Sequence, residues 1–403
     1  MKHIFFILFC TLCLISGCSG QQELDDLLIL TGIGVDLGEN EVVKVTFQAS
    51  NPQSEAGGQS TGGGVSQANA YTFESEGKDI IEAVENSKDL ISRKLFFPHI
   101  STLVISEEFA KERGVNLLIN FLERHYEIRD SYLVFIAKED TANHILNTFP
   151  PLENSSAQNM EQLIQMPNSP LSLNDGIQLE DFIRWRYADQ QDPVVTGIEK
   201  VSKETDSSSS ETLNNIEGNM NAVRLTGFAL FNKSRLVDWL SEKDSIAWSI
   251  ITQKTNKVKS YHISCPEEKG KGSIHFLLKE MKIKAKPKLK NSQLTYDLQL
   301  KGHLSLQGLH CNYKLSTTKG VTELQKVIND SVKKDLETAV TNVQKQGLDS
   351  FGIRNQLSRN YPKQWKKEKD NWEDLYENMK VKAYVDIYIE STGARVDNNE
   401  EEK

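Results

Sequence analysis

Hydrophobic and polar positions divide the chain into a short apolar leader and a long body of alternating and helical patterns. Ile4 to Ile15 is an almost unbroken apolar run. It is shorter than the roughly 20 apolar residues needed to span a bilayer core, and it has the length of a signal-peptide core. Residues 27–37, LLILTGIGVDL, then read as a strand. GEN follows as a turn, and residues 41–50 alternate in the strand manner, so the two runs predict a hairpin. Residues 55–68 are rich in Gly and Ser and predict a loop before a strand at 69–75. Residues 78–92 carry Ile80, Ile81, Val84, Leu90 and Ile91 at helical spacing. A strand is predicted at 101–105. A helix is predicted over 107–125, broken at Gly114, with Leu117, Leu118, Phe121 and Leu122 on one face, and a strand at 132–137. This part predicts a mixed α/β unit, one sheet with helices packed across it.

Residues 142–187 read as helical pieces punctuated by Pro150, Pro151, Pro167 and Pro170. Residues 199–222 are polar and low in complexity, which predicts a linker or exposed loop. A strand is expected at 223–231 and a short helix at 235–242. Strands follow at 258–264, 273–285, 293–306 and 309–316, with lysines on alternate positions that suit a solvated face. A long amphipathic helix is predicted at 321–346, its buried side formed by Leu324, Val327, Ile328, Leu336, Val340 and Val343. Gly347 ends it. A further helix at 363–378 would set Trp365 and Trp372, seven apart, on one core-facing side. A strand at 380–390 and an acidic tail, NNEEEK, close the chain.

Ile15-Ser16-Gly17-Cys18 follows the leader. Small residues before the cut suit a peptidase cleft, and the Cys18 thiol suits a diacylglyceryl thioether, the pattern of a bacterial lipobox. An ordinary secretory signal with a chance cysteine is the alternative. Two acyl chains hold a protein on a membrane where one does so only marginally. Removal of residues 1–17 takes away Lys2 and no acid, so the net charge goes from −9 to −10. With 38% hydrophobic residues over the whole sequence, the chain beyond the leader reads as a globular body of two or three domains. The acidic balance argues against nucleic acid and against broad contact with anionic lipid heads. The mature chain keeps Cys18, Cys265 and Cys311. Cys265 and Cys311 either pair outside the cell or stand as two separate half-buried thiols.

No catalytic signature stands out. There is no GxSxG elbow and no HExxH. EKGKGS at 268–273 resembles part of a phosphate loop but has Cys265 where the first glycine belongs and lies between strands, so it reads as a turn. His262, Cys265, His310 and Cys311 have no spacing that defines a zinc site. No cofactor and no metal are implied.

Several segments in matched order resemble the Ger(x)C family, the C subunits of spore germinant receptors. They are Glu23-Leu24 with Leu28–Asp36, Ser92–His99 leading into Thr102–Ser106, Phe121–Arg129, Gly227–Phe231 with Leu236 and Leu240, and Asp349–Gly352 with Tyr361-Pro362, Trp365 and Asn371-Trp372. Ser19-Gly20 stands where the family usually shows Trp-Asp, Asp25 where Asn is frequent, and the insert at 55–68 is long. These departures touch the tether and a loop.

The resemblance implies an α+β fold, an elongated multidomain body of mixed and antiparallel sheets with packed helices, in about three domains. On the sequence, the chain divides into a signal peptide (1–17), a lipid-anchored tether (18–26) and an N-terminal receptor region (27–186, with a split near 140). A linker or exposed loop (187–222), a C-terminal region (223–396, with a split near 256) and an acidic tail (397–403) follow. The resemblance also implies a palmitate-bearing lipoprotein attached through Cys18 to the outer face of the cell membrane, in spores the inner spore membrane. Its partners would be the membrane-embedded A and B subunits of one receptor, and it would have no enzymatic activity. Arg93, Arg124 and Arg129 are the candidate partner contacts, with ion pairing inside the fold as the alternative. Two other classes remain: a solute-binding lipoprotein of a transporter, which would need two lobes with parallel sheets, and a lipid-anchored hydrolase, which would need a catalytic site.

Overall fold

The structure is a computed structural model. It describes residues 26–51, 69–125, 129, 131–148, 150, 152–187, 191–201, 222–254 and 258–393. The leader, Cys18, the Gly/Ser-rich insert at 55–68, most of the low-complexity stretch and the acidic tail lie outside the described residues.

The elements in chain order are β1 (Leu27–Leu37), β2 (Val43–Ser50), β3 (Ala70–Gly77), α1 (Ile80–Asn86), β4 (Lys94–Phe96), β5 (Thr102–Ser106), α2 (Glu107–Glu112), α3 (Asn116–Arg124) and β6 (Leu133–Ala137). Then come α4 (Ala142–Leu146), α5 (Ser156–Gln165), α6 (Leu179–Tyr187), β7 (Val194–Lys200), β8 (Val223–Asn232), β9 (Arg235–Trp239) and α7 (Glu242–Ile251). The last third holds β10 (Val258–Ser264), β11 (Ser273–Lys290), β12 (Gln293–Leu309), α8 (Thr318–Lys345), α9 (Ile353–Asn360), α10 (Pro362–Glu368), α11 (Trp372–Glu377) and β13 (Lys380–Ser391).

The first sheet has the order β3-β2-β1-β5-β6-β7-β8-β9, with β4 beside the start of β1. β1, β5, β6 and β7 run parallel, and an antiparallel arm flanks them on each side. β5 and β6 are buried along their whole length. Leu103, Ile105, Val134 and Ile136 face one core with α1, α2 and α3, while Val104 and Phe135 face the other with α4 and α5. A strand covered on both faces needs apolar residues at every position, which is why TLVIS and LVFIA lack alternation.

The TGIGVD run of β1 follows from packing. A Cβ on Gly34 would sit 2.9 Å from Leu146 and 3.1 Å from Ala142, so only glycine lets α4 lie this close. Asp36, on the same face, accepts the backbone N–H groups of Ala142 (2.7 Å) and Asn143 (2.9 Å) at the start of α4. Burial pushes this carboxyl above its ordinary pKa, and the two N–H groups pull the other way.

The second sheet has the order β10-β11-β12-β13. α8 covers its inner face with Leu324, Ile328, Val332, Leu336, Val340 and Val343, all buried. β13 runs parallel to β12 and is an edge strand. Its outward N–H groups are taken by α8: Ala383 donates to Glu337 (2.8 Å), Ile387 to Asn329 (3.2 Å) and Ile389 to Gln325 (3.2 Å). A helix thus closes an edge that would otherwise pair with another strand. One contiguous core runs from Val104 of the first sheet to Ile387 of the second.

The architecture is α+β with two sheets and several helices, as expected. Particular elements differ. Of residues 235–242, expected as a helix, Arg235–Trp239 form the strand β9, and the helix starts only after Ser241, whose hydroxyl accepts the N–H of Asp244. Residues 309–316, expected as a strand, hold none beyond Leu309, where β12 ends. The stretch 187–222, expected as a linker or exposed loop, contains β7, which is buried within the first sheet. Leu117, expected on the core face with Leu118, is 67% exposed, and the buried face of α3 is Leu118, Ile119 and Leu122. The helix expected at 363–378 is two short helices separated by a 3-10 turn at Lys369–Asn371.

Candidate functional site

Two of the family-like segments meet at one corner of the first sheet. In Ser92–His99, β4 lies parallel to the first residues of β1, and Pro98 opens a 3-10 turn. That turn buries Phe97, whose ring centroid lies 4.6 Å from that of His125 at the end of α3. The Phe121 ring lies 5.7 Å from the same imidazole. Leu118 and Leu122 point inward and hold α3 on the sheet, so the neighbouring positions Leu117 and Phe121 turn outward toward α1. With Ile81, which is 58% exposed, they line an apolar groove of about 360 Å³. Arg124 and Asp79 flank it. The Asp79 carboxylate is committed to the N–H of Glu82 at the start of α1.

Of the three arginines singled out, Arg124 lines this groove, and Arg93 and Arg129 are exposed. None of the three forms an ion pair among the described residues. Cys18 lies outside the described residues.

A second concavity, a cleft of about 410 Å³, lies between the β7–β8 pair and the loop that follows α5. Its ionic groups are largely taken: Glu199 and Arg224 pair across the strands at 2.5 Å, and the Lys138 ammonium sits 5.0 Å from the centre of the Trp239 ring. Gly227 borders it. A Cβ there would fall 2.1 Å from the carbonyl oxygen of Leu240, so glycine is required for β8 to pass under the chain entering α7. Ser241, which also lines the cleft, donates its hydroxyl to Asp244 (2.9 Å) as the cap of α7.

The Asp349–Gly352 segment is the joint between the sheets. Asp349 accepts the N–H groups of Ile353 (2.8 Å) and Arg354 (2.7 Å) at the start of α9. The carbonyl of Ser350 receives the indole N–H of Trp248 (3.0 Å) and the side-chain amide of Gln191 (3.2 Å). The Tyr376 hydroxyl donates to the carbonyl of Leu348 at 2.5 Å. Burial pushes the Asp349 carboxyl up to about 6, although the N–H groups of Arg354 and Ile353 favour its ionised form. Trp365 and Trp372 pack edge to face at 5.6 Å against the same core, despite the break between their helices.

Cys265 and Cys311 are joined by a disulfide. It ties the β10–β11 turn to the chain leaving β12. EKGKGS is that turn and opens no helix. The rings of His262 and His275 stack at 5.7 Å and that of His310 lies 6.1 Å beyond. Among the described residues no three His, Cys, Asp or Glu side chains are placed to hold a metal. The groove at α1 and α3 was not singled out from the sequence. Its signal is a doubled apolar stripe, Leu117/Phe121 beside Leu118/Leu122, wider than one buried face requires.

The arrangement is that of a two-sheet scaffold in which buried polar side chains such as Gln48, Lys259, Gln344 and Asp349 tie elements together. Residues 20–200 match the model of a spore germination protein N-terminal domain, and residues 226–393 match that of a "spore germination B3/GerAC like, C-terminal" domain. The chain belongs to this spore germination family. It is 24% identical over 383 residues to spore germination protein KC of Bacillus subtilis, covering 94% of this chain and 93% of that protein. It is 20% identical over 401 residues to spore germination protein GerQC of Bacillus cereus, covering 98% and 99%. The crystal structure of the GerBC protein has the same fold, with a TM-score of 0.54 at 16% identity over 89% of this chain and 97% of that one. Among the described residues no helix is long and apolar enough to cross a membrane.

Proposed function

We propose that this chain is the lipid-anchored, non-enzymatic C subunit of a nutrient germinant receptor, and that it acts by contact with membrane-embedded A and B subunits. Export and attachment through Cys18 place it on the outer face of the membrane, in spores the inner spore membrane. The Cys265–Cys311 disulfide supports that side of the membrane, since such bonds persist in oxidising compartments. The observation that carries the reading is the groove of Ile81, Leu117 and Phe121 beside Arg124. An apolar surface flanked by a cation, at a corner built by two family-like segments, has the chemistry of a partner site. Arg93 and Arg129 extend the same proposal.

Co-purification from spore membranes tests it. Leu117→Asp and Arg124→Glu chains should fold normally and recover less of the A and B subunits than the natural chain. Undiminished recovery with both variants would remove the groove from the account.

A further inference from the structure

The net charge of −9 conceals a segregated surface. On the outer face of the second sheet, strand register sets Lys282, Lys301 and Asp386 in one cross-strand row. Lys284, Gln299 and Tyr384 form the next, then Lys286, Asp297 and Lys382, then Lys288, Thr295 and Lys380. All seven lysines are exposed, and against two aspartates they leave a net charge of +5. Lys288 pairs with Asp297 at 2.5 Å and Lys301 with Asp386 at 3.6 Å. Three strands and four rows make an area of about 20 Å by 10 Å.

We propose that this lysine face rests on an anionic membrane surface. Residue type favours lipid over an acidic protein. The cations in these rows are all lysines, and lysine is depleted from protein interfaces where arginine is enriched. Lysine is a hydrated point charge on a flexible stem, suited to diffuse attraction toward a charged plane. Tyr384 and Tyr388, 59% and 50% exposed on the same face, are the amphipathic rings that settle at headgroup depth.

Position supports the same occupant. Gly32, Thr102 and Leu133 lie level in the parallel part of the first sheet, and Phe135 lies level with Thr196. The chain therefore enters β1 at the end of the sheet where Asp192 precedes β7. Asp192 holds Asp349, and Phe351, two residues on, packs against Tyr296 of β12 at 6.4 Å. Tyr296 lies between Thr295 and Asp297 in β12 but on the buried side of the sheet, so the joint backs this part of the sheet and the lysine rows face outward from it. A chain tethered at Cys18 would bring that end of the molecule to the bilayer, so the inference rests on the anchor proposed above.

The test uses the mature lipidated chain on phosphatidylcholine vesicles, and on vesicles in which roughly one lipid in three is phosphatidylglycerol. Lysines are acetylated briefly and the sites read by mass spectrometry. On the anionic vesicles, labelling of Lys284, Lys286 and Lys382 should fall roughly fivefold and return at about 0.5 M salt, where surface charge is screened. Lys319 and Lys333 on α8 should not change. A Lys284→Glu, Lys286→Glu chain with an unchanged circular dichroism spectrum should lose the protection at Lys382. Equal labelling on both vesicles overturns the proposal, as does protection seen only in native spore membranes, which would mean that an acidic protein covers the face. Failure of the anchor reads out separately, as a chain that does not float with phosphatidylcholine vesicles.

Discussion

Asp192 and Asp349, 157 residues apart, hold each other in both directions. The Asp349 N–H donates to the Asp192 carboxylate at 2.6 Å, and the Asp192 N–H donates to the Asp349 carbonyl at 3.0 Å. Because Asp192 leads into the first sheet and Asp349 into α9, this clasp joins the two halves of the chain. Asp349→Ala would leave the N–H groups of Ile353 and Arg354 without their acceptor in a buried place. The expected loss is about 2–4 kcal/mol, measured by urea unfolding of the soluble body.

The same carboxyl predicts a pH dependence. Its pKa is about 6 in the fold against an ordinary 3.8, so the folded state binds the proton more tightly. Its contribution is therefore most favourable below pH 4, falls as the pH rises from about 4 to 6, and is constant above that. The full change is about 3 kcal/mol. The difference in stability between the natural chain and Asp349→Asn should show this slope between pH 4 and 6. A flat difference would mean that the carboxyl titrates normally.

Lys259 predicts the opposite slope. Fully buried in β10, it donates to the carbonyls of Pro170 and Ser172, and burial lowers its pKa to about 7. The unfolded chain then binds the proton more tightly, so stability rises with pH from about 7 toward 10.5. Lys259→Met should flatten that rise in thermal denaturation series, and an unchanged rise would assign it to other groups.

The disulfide closes a loop of 46 residues. Constraint of the unfolded chain is worth at most about 4 kcal/mol for that length. Replacement of both Cys265 and Cys311 by Ser should lower stability by about 2–4 kcal/mol in chemical denaturation. No loss would mean that the thiols stand apart in the protein.

The groove predicts function without stability. Leu117 is 67% exposed, so Leu117→Asp should change unfolding free energy by no more than about 0.5 kcal/mol. Phe97→Ala, by contrast, empties a buried ring site against His125 and should cost about 3–5 kcal/mol. If both variants unfolded alike, Leu117 would belong to the core.

Strong periodicity made much of the fold legible. The β1–β2 hairpin and the long helix α8 carry clear periods, while β5 and β6 were legible as short apolar runs rich in branched residues. β7 was not legible, because VVTGIEK is short and runs into a polar stretch that dominates any window. RLVDWLSE permits both helix and strand. What decides is the turn at Lys233, with φ of 56°, which sends β9 back along β8, and Ser241, which starts the helix later. The Asp192–Asp349 clasp was invisible because it joins residues 157 apart through two backbone N–H groups, and a lone aspartate does not announce such a partner. At the site, Arg124 was found through its segment, whereas the groove needed Ile81 from α1, which no local pattern connects to α3. The lysines of β11 read as a solvated face. That they share a face with Lys380 and Lys382 depends on the parallel pairing of β12 with β13, a long-range fact.

Anchoring at Cys18 has a direct readout. Mass spectrometry of the mature chain should find a diacylglyceryl group on an N-terminal Cys18, and Cys18→Ala should leave a precursor or release soluble protein. An unmodified N-terminus elsewhere would contradict it.

The most direct test of the whole account is the germination response of spores that lack this chain. A receptor subunit acting by contact predicts loss of the response to one class of nutrient, with germination by a nutrient-independent trigger intact. A normal response to every nutrient, in a strain without a second copy of the receptor, would contradict it.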